Sequence, residues 1–214
     1  MIGRVLRWVV PLGLFAWIGW RIDLARYWVL CAILVAWVIV VSRSVDPTLF
    51  RERFHPAGPT VDRHAMRAIR GAAVSSLVLT LADIGDFHWS DTVAPVTRQA
   101  AMIACVLALV LLGRCMIANR FFSSAIRLQP DRGHRVVHAG PYAVIRHPGY
   151  LAMTLLMPAI ALALGSWMGL APALIYSVLI IRRAVVEDRY LRAHLDGYAD
   201  YALRVRFRLL PGVW

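Results

Sequence analysis

The 214-residue sequence contains no lysine, so all 24 of its basic residues are arginine. Glutamate is almost as scarce, because only Glu52 and Glu187 occur among the 12 acidic residues. The three cysteines, Cys31, Cys105 and Cys115, lie singly in apolar stretches. Without a CxxC pair or an even number of cysteines, the sequence offers neither a zinc motif nor a disulfide framework. The scarcity of glutamate makes Glu187 an unusual residue in the C-terminal half.

Apolar residues, by contrast, are abundant and are gathered into long runs. Hydrophobic residues form 60% of the chain, and the mean hydropathy is +0.62. This composition predicts a membrane protein. The formal net charge of +12 is compatible with nucleic acid binding. However, the arginines flank apolar runs instead of forming a basic arm, which favours membrane lipids as partners and predicts no nucleic acid partner.

The apolar runs predict an all-α polytopic membrane bundle of five or six membrane helices. They are placed at about 5–20, 27–42, 69–88 and 96–118, with a helical hairpin at about 149–181. Arg4 and Arg7 precede the first run, and no small-x-small cleavage site follows it, so we interpret it as a retained signal anchor. We divide the chain into N-terminal membrane helices, 1–118, which are expected to shape acceptor choice, and a C-terminal core, 119–214.

Arginine-rich connections predict the orientation of the chain in the membrane. The segments 43–68 and 119–148 each contain five arginines, whereas the connection around Asp83, Asp86 and Asp91 has none. The positive-inside rule therefore places both arginine-rich segments, and both chain termini, in the cytoplasm. Arg21 and Arg26 disagree with this orientation, because they lie in the first connection, which it places outside. A shallow insertion of the first two helices would explain them. The lysine-free, alanine-rich composition fits a bacterial inner-membrane protein.

The predicted hairpin has 33 uncharged residues for two arms and a turn near Gly165. Each arm of about fifteen residues would be roughly 23 Å long, short of a hydrocarbon core of about 30 Å. Both ends of the hairpin then return to the cytoplasmic side and bring 133–148 next to Arg182 and Arg183. After the hairpin, 188–201 is predicted to be a charged, amphipathic cytoplasmic helix that lies outside the membrane and is broken by Gly197.

Several short motifs in the C-terminal half follow one another in a fixed order. They are GPY at 140–142, RHPGY at 146–150, EDxxL at 187–191, GYxxY at 197–201 and LP at 210–211. In order and spacing, residues 119–214 resemble the isoprenylcysteine carboxyl methyltransferase family, and they are also similar to phospholipid methyltransferases. Members of the first family are integral membrane enzymes that transfer the methyl group of S-adenosylmethionine.

The resemblance implies a set of site residues. Arg183, one helical turn before Glu187, corresponds to the family's substrate-contacting arginine, and Arg182 is the alternative. The expected catalytic residues are Arg183 and Arg146. The implied contacts of S-adenosylmethionine are Gln129, His134, Arg135, Val136, Val137, Gly140, Tyr142, His147, Pro148, Gly149, Tyr150 and Glu187.

These residue types suit methyl transfer from a sulfonium. Tyr142 and Tyr150 can present electron-rich ring faces to a cation, and Glu187 can accept hydrogen bonds from ribose hydroxyls or offset positive charge. Because the reaction is an in-line displacement, the protein chiefly has to align the reactants and exclude water. A carboxylate acceptor needs no general base and could pair with Arg183, whereas an amine would need deprotonation.

Other interpretations remain open from the sequence. Arg183 and Glu187 could form only an i, i+4 salt bridge on a solvated helix. His134, His138 and His147 could share a metal ion, but no further ligand is suitably spaced, so no metal is predicted. The function predicted is methylation of a lipid or lipid-linked acceptor, for example a carboxylate such as prenylcysteine, with no obligate protein partner. An NADPH-dependent sterol reductase type of enzyme and a non-catalytic membrane accessory protein are the alternatives.

Overall fold

The computed structural model describes residues 25–46, 48–49, 52 and 61–214. This part of the chain is helical and contains no strand. The predicted helix at 5–20 lies outside it. Six α-helices follow one another: α1 (Ala25–Ser44), α2 (Arg63–Ala82), α3 (Pro95–Ala118), α4 (Pro148–Leu164), α5 (Leu170–His194) and α6 (Tyr198–Arg204).

Three of the described helices are long and apolar enough to cross a membrane. They are α1, α2 continued by the π-helical turn Asp83–Phe87, and α3. They confirm the helices predicted at 27–42, 69–88 and 96–118. Helix α2 begins earlier than its apolar run because its first turns carry arginine and histidine, which are polar but do not interrupt a helix.

The hairpin is asymmetric, which corrects the prediction of two arms of about fifteen residues. Helix α4 has 17 residues, about 25 Å, and ends at Gly165, whose φ of +89° favours glycine. Helix α5 has 25 residues, about 37 Å, and continues past the apolar part to His194. Loss of hydrophobicity did not end this helix, since arginine, glutamate and alanine are good helix formers and no glycine or proline interrupts 173–194.

The predicted charged helix at 188–201 is therefore not a separate element. Residues 188–194 form the last turns of α5, and the chain turns at Gly197, where φ is +75°, before the seven-residue helix α6. Asp188, the first residue of that predicted helix, is fully buried. The break at Gly197 is where the sequence placed it.

Helix α4 packs between α3 and α5, while α2 packs against α5 and α1 against α3. The core between α3 and α4 contains Cys105, Leu109 and Ile160. We call the end of the bundle that holds the start of α2, the end of α3 and the start of α4 the site end. The opposite end, with the hairpin turn around Gly165, is the turn end.

A buried polar network closes the turn end. The Asp83 carboxylate accepts hydrogen bonds from the hydroxyls of Ser90 and Ser166, and the Arg26 Nε donates to the Leu164 carbonyl oxygen at 2.9 Å. Arg26 therefore satisfies a carbonyl left unpaired at the end of α4. The positive-inside rule assigns this end of the bundle to the outside, where arginine is not expected. The bond to Leu164 gives a structural reason for Arg26 at this position.

Candidate active site

The segment between α3 and α4 forms an irregular polar loop over the site end. Its only regular elements among the described residues are the 3₁₀ turns Pro130–Arg132 and Gly140–Ala143. Arg127 anchors the loop, because its Nη2 and Nε lie 2.8 and 2.9 Å from the two carboxylate oxygens of Glu52. The buried Gln129 side chain donates to the Phe121 carbonyl oxygen. The loop is thus held by side chains, not by a regular backbone ladder.

A cavity of about 200 Å³ lies beneath this loop. All the predicted cofactor-binding and catalytic residues except Gly140 and Pro148 line this cavity. Gly140 is exposed and opens a 3₁₀ turn with φ +59°, while Pro148 is buried as the first residue of α4. The predicted residues in the cavity wall are Gln129, His134, Arg135, Val136, Val137, Tyr142, Arg146, His147, Gly149, Tyr150, Arg183 and Glu187.

A chain of polar contacts crosses the cavity from α5 to α4. The Arg183 Nε donates to the Tyr150 hydroxyl at 3.0 Å, and this hydroxyl donates a short hydrogen bond to a Glu187 carboxylate oxygen. Glu187 forms no ion pair with any other described residue. Its carboxylate is therefore oriented by a tyrosine and is not paired with a cation among the described residues.

The Arg183 guanidinium is engaged at all three nitrogens. Besides its bond to Tyr150, its Nη2 donates to the Ser124 carbonyl oxygen at 2.7 Å, and its Nη1 lies 2.9 Å from a carboxylate oxygen of Asp62. Asp62 directly precedes α2 and belongs to none of the motifs from which the site residues were predicted. An anionic acceptor would have to compete with Asp62 for this guanidinium.

Asp188 is the main residue that the sequence interpretation undervalued. Its carboxylate accepts hydrogen bonds from three arginines and a tyrosine, and it contacts the His147 Nε2 at 3.2 Å. The other partners are Arg146, Arg192, Arg208 and Tyr198. Burial alone would raise the pKa of the carboxyl, but the bonds from His147 and Arg146 and the surrounding charge hold that pKa well below its usual value. Its position directly after Glu187 and four residues before Arg192 was the available signal.

His147 precedes α4 and is almost completely buried. Because the ionised Asp188 can only accept, the His147 Nε2 carries the proton that it donates to this carboxylate. In the neutral ring the Nδ1 is then the acceptor. Asp188 thereby orients a ring that forms part of the cavity wall.

Arg146, predicted to be catalytic, is occupied with the C-terminal tail. Its Nε donates to Asp188 at 2.7 Å, and its Nη1 donates to the carbonyl oxygens of Val205 and Arg206, both at 2.7 Å. These bonds attach residues 205–206 to the start of α4. The geometry gives Arg146 a positioning role.

His134 occupies the loop side of the cavity, where its ring lies 4.7 Å from that of Phe121. Burial, together with the positive charges of Arg127 and Arg132, lowers the pKa of His134 to about 4. The backbone N–H of Gln129 donates to its Nδ1 at 3.3 Å. His134 is therefore neutral near pH 7.

The membrane side of the cavity is apolar, which the motifs did not predict. Its wall consists of Met66 and Ile69 from α2, Met153 from α4, and Tyr176 and Ile180 from α5. One cavity thus joins polar loop residues to an apolar surface built from α2, α4 and α5.

Within the described residues, no group of three histidine, cysteine, aspartate or glutamate side chains could hold a metal ion. His138, considered above as a ligand, is exposed.

Comparison with known proteins agrees with this geometry. Residues 96–196 match the phospholipid methyltransferase family. The matched segment covers just under half of the chain. It begins at the start of α3 and ends just after α5, so it contains the loop, the hairpin and Glu187. The matched segment excludes α2 and α6, which supply Met66, Ile69, Tyr198 and Tyr201 to the cavity.

The chain is also similar to the cobalt-zinc-cadmium resistance protein CzcN of Cupriavidus metallidurans. The two are 29% identical over 177 residues, which cover 77% of this chain and 72% of that protein. Together, the family match over residues 96–196 and the three apolar helices support a membrane methyltransferase. Neither comparison supports the reductase interpretation.

Proposed function

We propose that this protein transfers a methyl group from S-adenosylmethionine to a lipid or lipid-linked acceptor. The observation that supports the proposal is one cavity whose wall contains both Glu187 and Tyr150 and an apolar surface from α2, α4 and α5. A polar, charged cofactor and an apolar acceptor have opposite solvation requirements. A cavity with one polar and one membrane-derived side meets both.

Glu187 is the acidic residue of the cavity wall, and a carboxylate beside the Tyr150 ring suits a positively charged sulfonium. Asp188 is offset by arginines, and His134 is neutral near pH 7. When bound, S-adenosylmethionine supplies an activated methyl group. The residues proposed to hold it are Gln129, His134, Arg135, Val136, Val137, Tyr142, His147, Gly149, Tyr150 and Glu187.

The protein's own residues mainly position the reactants. Asp188 and Tyr198 hold His147, and Tyr150 links Arg183 to Glu187. The loop covers the cavity and limits the access of water, which favours a displacement at a charged centre. We propose that the acceptor enters from the bilayer along the wall of α2 and α5. A phospholipid and a prenylcysteine carboxylate are candidates, and a carboxylate would compete with Asp62 for Arg183.

We further propose that the site end faces the cytoplasm of a bacterial cell, with the turn end outside the inner membrane. The exposed Arg120, Arg135 and Arg204 all lie at the site end. Arginine near membrane helices is favoured on the cytoplasmic side. A water-soluble cofactor would then reach the loop directly from the cytoplasm.

Binding of S-adenosylhomocysteine tests the proposed function. Isothermal titration of the full chain in detergent should give saturable binding, and Glu187→Gln should weaken it about tenfold or more, the usual effect of losing a charged hydrogen-bond partner. Asp200→Asn, an exposed carboxylate outside the cavity wall, is the matched control and should bind like the wild type. Methyl transfer is then followed with labelled S-adenosylmethionine and extracted membrane lipids or prenylcysteine.

NADPH serves as the comparator ligand in the same titration. Binding of NADPH with no binding of S-adenosylhomocysteine by folded protein would replace the methyltransferase proposal with the reductase one. If neither ligand binds, the proposed cofactor is wrong.

A further inference from the structure

Two arginines from different helices meet at the turn end. A methyl group placed on Gly165 would lie 3.0 Å from the Arg98 Nε and 3.5 Å from the Arg26 Nη2, so both guanidiniums reach the same point. Arg26 begins α1 and Arg98 belongs to the first turn of α3. Both side chains are half-buried. Two like charges this close repel each other, and an anion bound between them would offset this repulsion.

The surrounding groups leave this positive charge poorly compensated. The Arg98 Nε is buried and has no hydrogen-bond partner among the described residues. The first turn of α3 contains no acidic side chain, although the positive end of a helix dipole favours anions and disfavours an arginine. A buried N–H without a partner is costly, so a ligand that accepts its hydrogen bond would stabilise the site.

The nearest described carboxylates do not neutralise the pair. The charge of Asp91 acts on Arg26, but the Asp91 side chain is 78% exposed and lies 3.6 Å from the His88 Nδ1. Asp83 is bonded to the hydroxyls of Ser90 and Ser166. A compact anion with several acceptor oxygens fits both guanidiniums better than either carboxylate does.

We propose that Arg26, Arg98 and Gly165 form a binding site for a phosphate group at the turn end. Guanidinium groups recognise phosphate through paired, charge-assisted hydrogen bonds. Gly165, without a side chain, leaves room for both arginines beside the end of α4. The ends of α1, α3 and α4 meet here, and the ends of helices that cross a membrane lie near the lipid headgroups. The phosphate comes from an anionic phospholipid or from free inorganic phosphate. This site is separate from the methyl-transfer cavity.

Lipid retention by the full chain tests this site. Protein in neutral detergent is mixed with phosphatidylglycerol or phosphatidylcholine, and bound lipid is counted by native mass spectrometry. Phosphatidylglycerol should be retained preferentially, and Arg26→Gln or Arg98→Gln should weaken its binding about fivefold each, the usual effect of one basic side chain near an anionic surface. Arg204→Gln, an exposed arginine at the site end, is the control and should retain lipid like the wild type.

Added inorganic phosphate distinguishes the two sources. If phosphate at millimolar concentration fails to displace the lipid, the ligand is a headgroup; if phosphate binds with the same dependence on Arg26 and Arg98, the ligand is the free ion. The proposal is overturned if wild-type protein prefers neither phosphatidylglycerol nor phosphate over phosphatidylcholine, or if both glutamine variants bind like the control. Arg98→Lys, which keeps the charge and loses the planar fork, replaces Arg98→Gln if circular dichroism shows that the latter is unfolded. It should bind with intermediate affinity, and wild-type affinity in it would also overturn the proposal.

Discussion

At the scale of single residues, Arg183 and Glu187 show how contacts decide chemistry. They are one helical turn apart and could have formed a salt bridge. Instead the Tyr150 hydroxyl lies between them, and Asp62 takes the place beside Arg183. Glu187 thus remains a negative group in the cavity wall, whereas Arg183 is already paired. The sequence predicted both residues for the site but not this division of roles.

His134 should make stability depend on pH. Its pKa of about 4 in the folded protein is below the value of about 6.5 for an unperturbed histidine, so the unfolded chain takes up a proton first as pH falls. The contribution of the neutral ring is complete above about pH 6.5 and is lost as pH falls towards about 4. His134→Gln should therefore flatten the fall of the melting temperature across this range.

Thermal unfolding in detergent between pH 7.5 and pH 4, followed by tryptophan fluorescence, measures this effect. His138→Gln, at an exposed position in the same loop, should retain the wild-type pH profile. An unchanged profile in His134→Gln would contradict the assigned pKa shift.

At the scale of helices, α2 and α5 approach closely at Gly169. A methyl group there would lie 1.8 Å from the Thr80 Oγ1 and 3.0 Å from the Ser76 carbonyl oxygen. Gly169→Ala should force the helices apart and cost about 1–3 kcal/mol. Gly71→Ala, in α2 but with nothing within 4 Å of the added methyl group, should be neutral or stabilising by up to about 1 kcal/mol.

The melting temperatures of the two variants, compared side by side in one detergent, check this contrast. If Gly169→Ala is as stable as Gly71→Ala, the described packing of α2 on α5 is wrong.

The helices also show which features of the fold hydropathy predicts and which it does not. The apolar runs located α1, α2 and α3 because an apolar segment of sufficient length can satisfy its backbone in a membrane only as a helix. The same signal placed the end of α5 too early, since a helix continues wherever its residues are good helix formers. Gly165 ends α4, and Gly197 precedes α6, so the two turns coincide with glycines and not with a change of polarity.

At the scale of the whole molecule, Asp188 joins three segments that are far apart in sequence. Its carboxylate bonds Arg146 and His147 at the start of α4, Arg192 on its own helix and Arg208 in the C-terminal tail. Asp188→Asn removes the charge that these cations share. Loss of one partner of a buried ion pair costs roughly 3–5 kcal/mol, so a large fall in the melting temperature is expected.

Asp196→Asn, an exposed change between α5 and α6, is the control and should melt like the wild type. Limited proteolysis of both variants should cleave the tail after Arg204 faster only in Asp188→Asn. Equal stability and equal cleavage would show that the tail is held by other contacts.

The sequence by itself determined the membrane class, the hairpin with its turn near Gly165, and twelve of the 29 residues of the cavity wall. These follow from local properties: apolar runs, helix breakers and motifs whose order is written along the chain. Only the tertiary structure decided that Asp62 pairs with Arg183, that Asp188 gathers the loop and the tail, and that Arg26 meets Arg98. Each of these contacts joins residues that are distant in sequence, and neither hydropathy nor spacing records which buried charges will be neighbours.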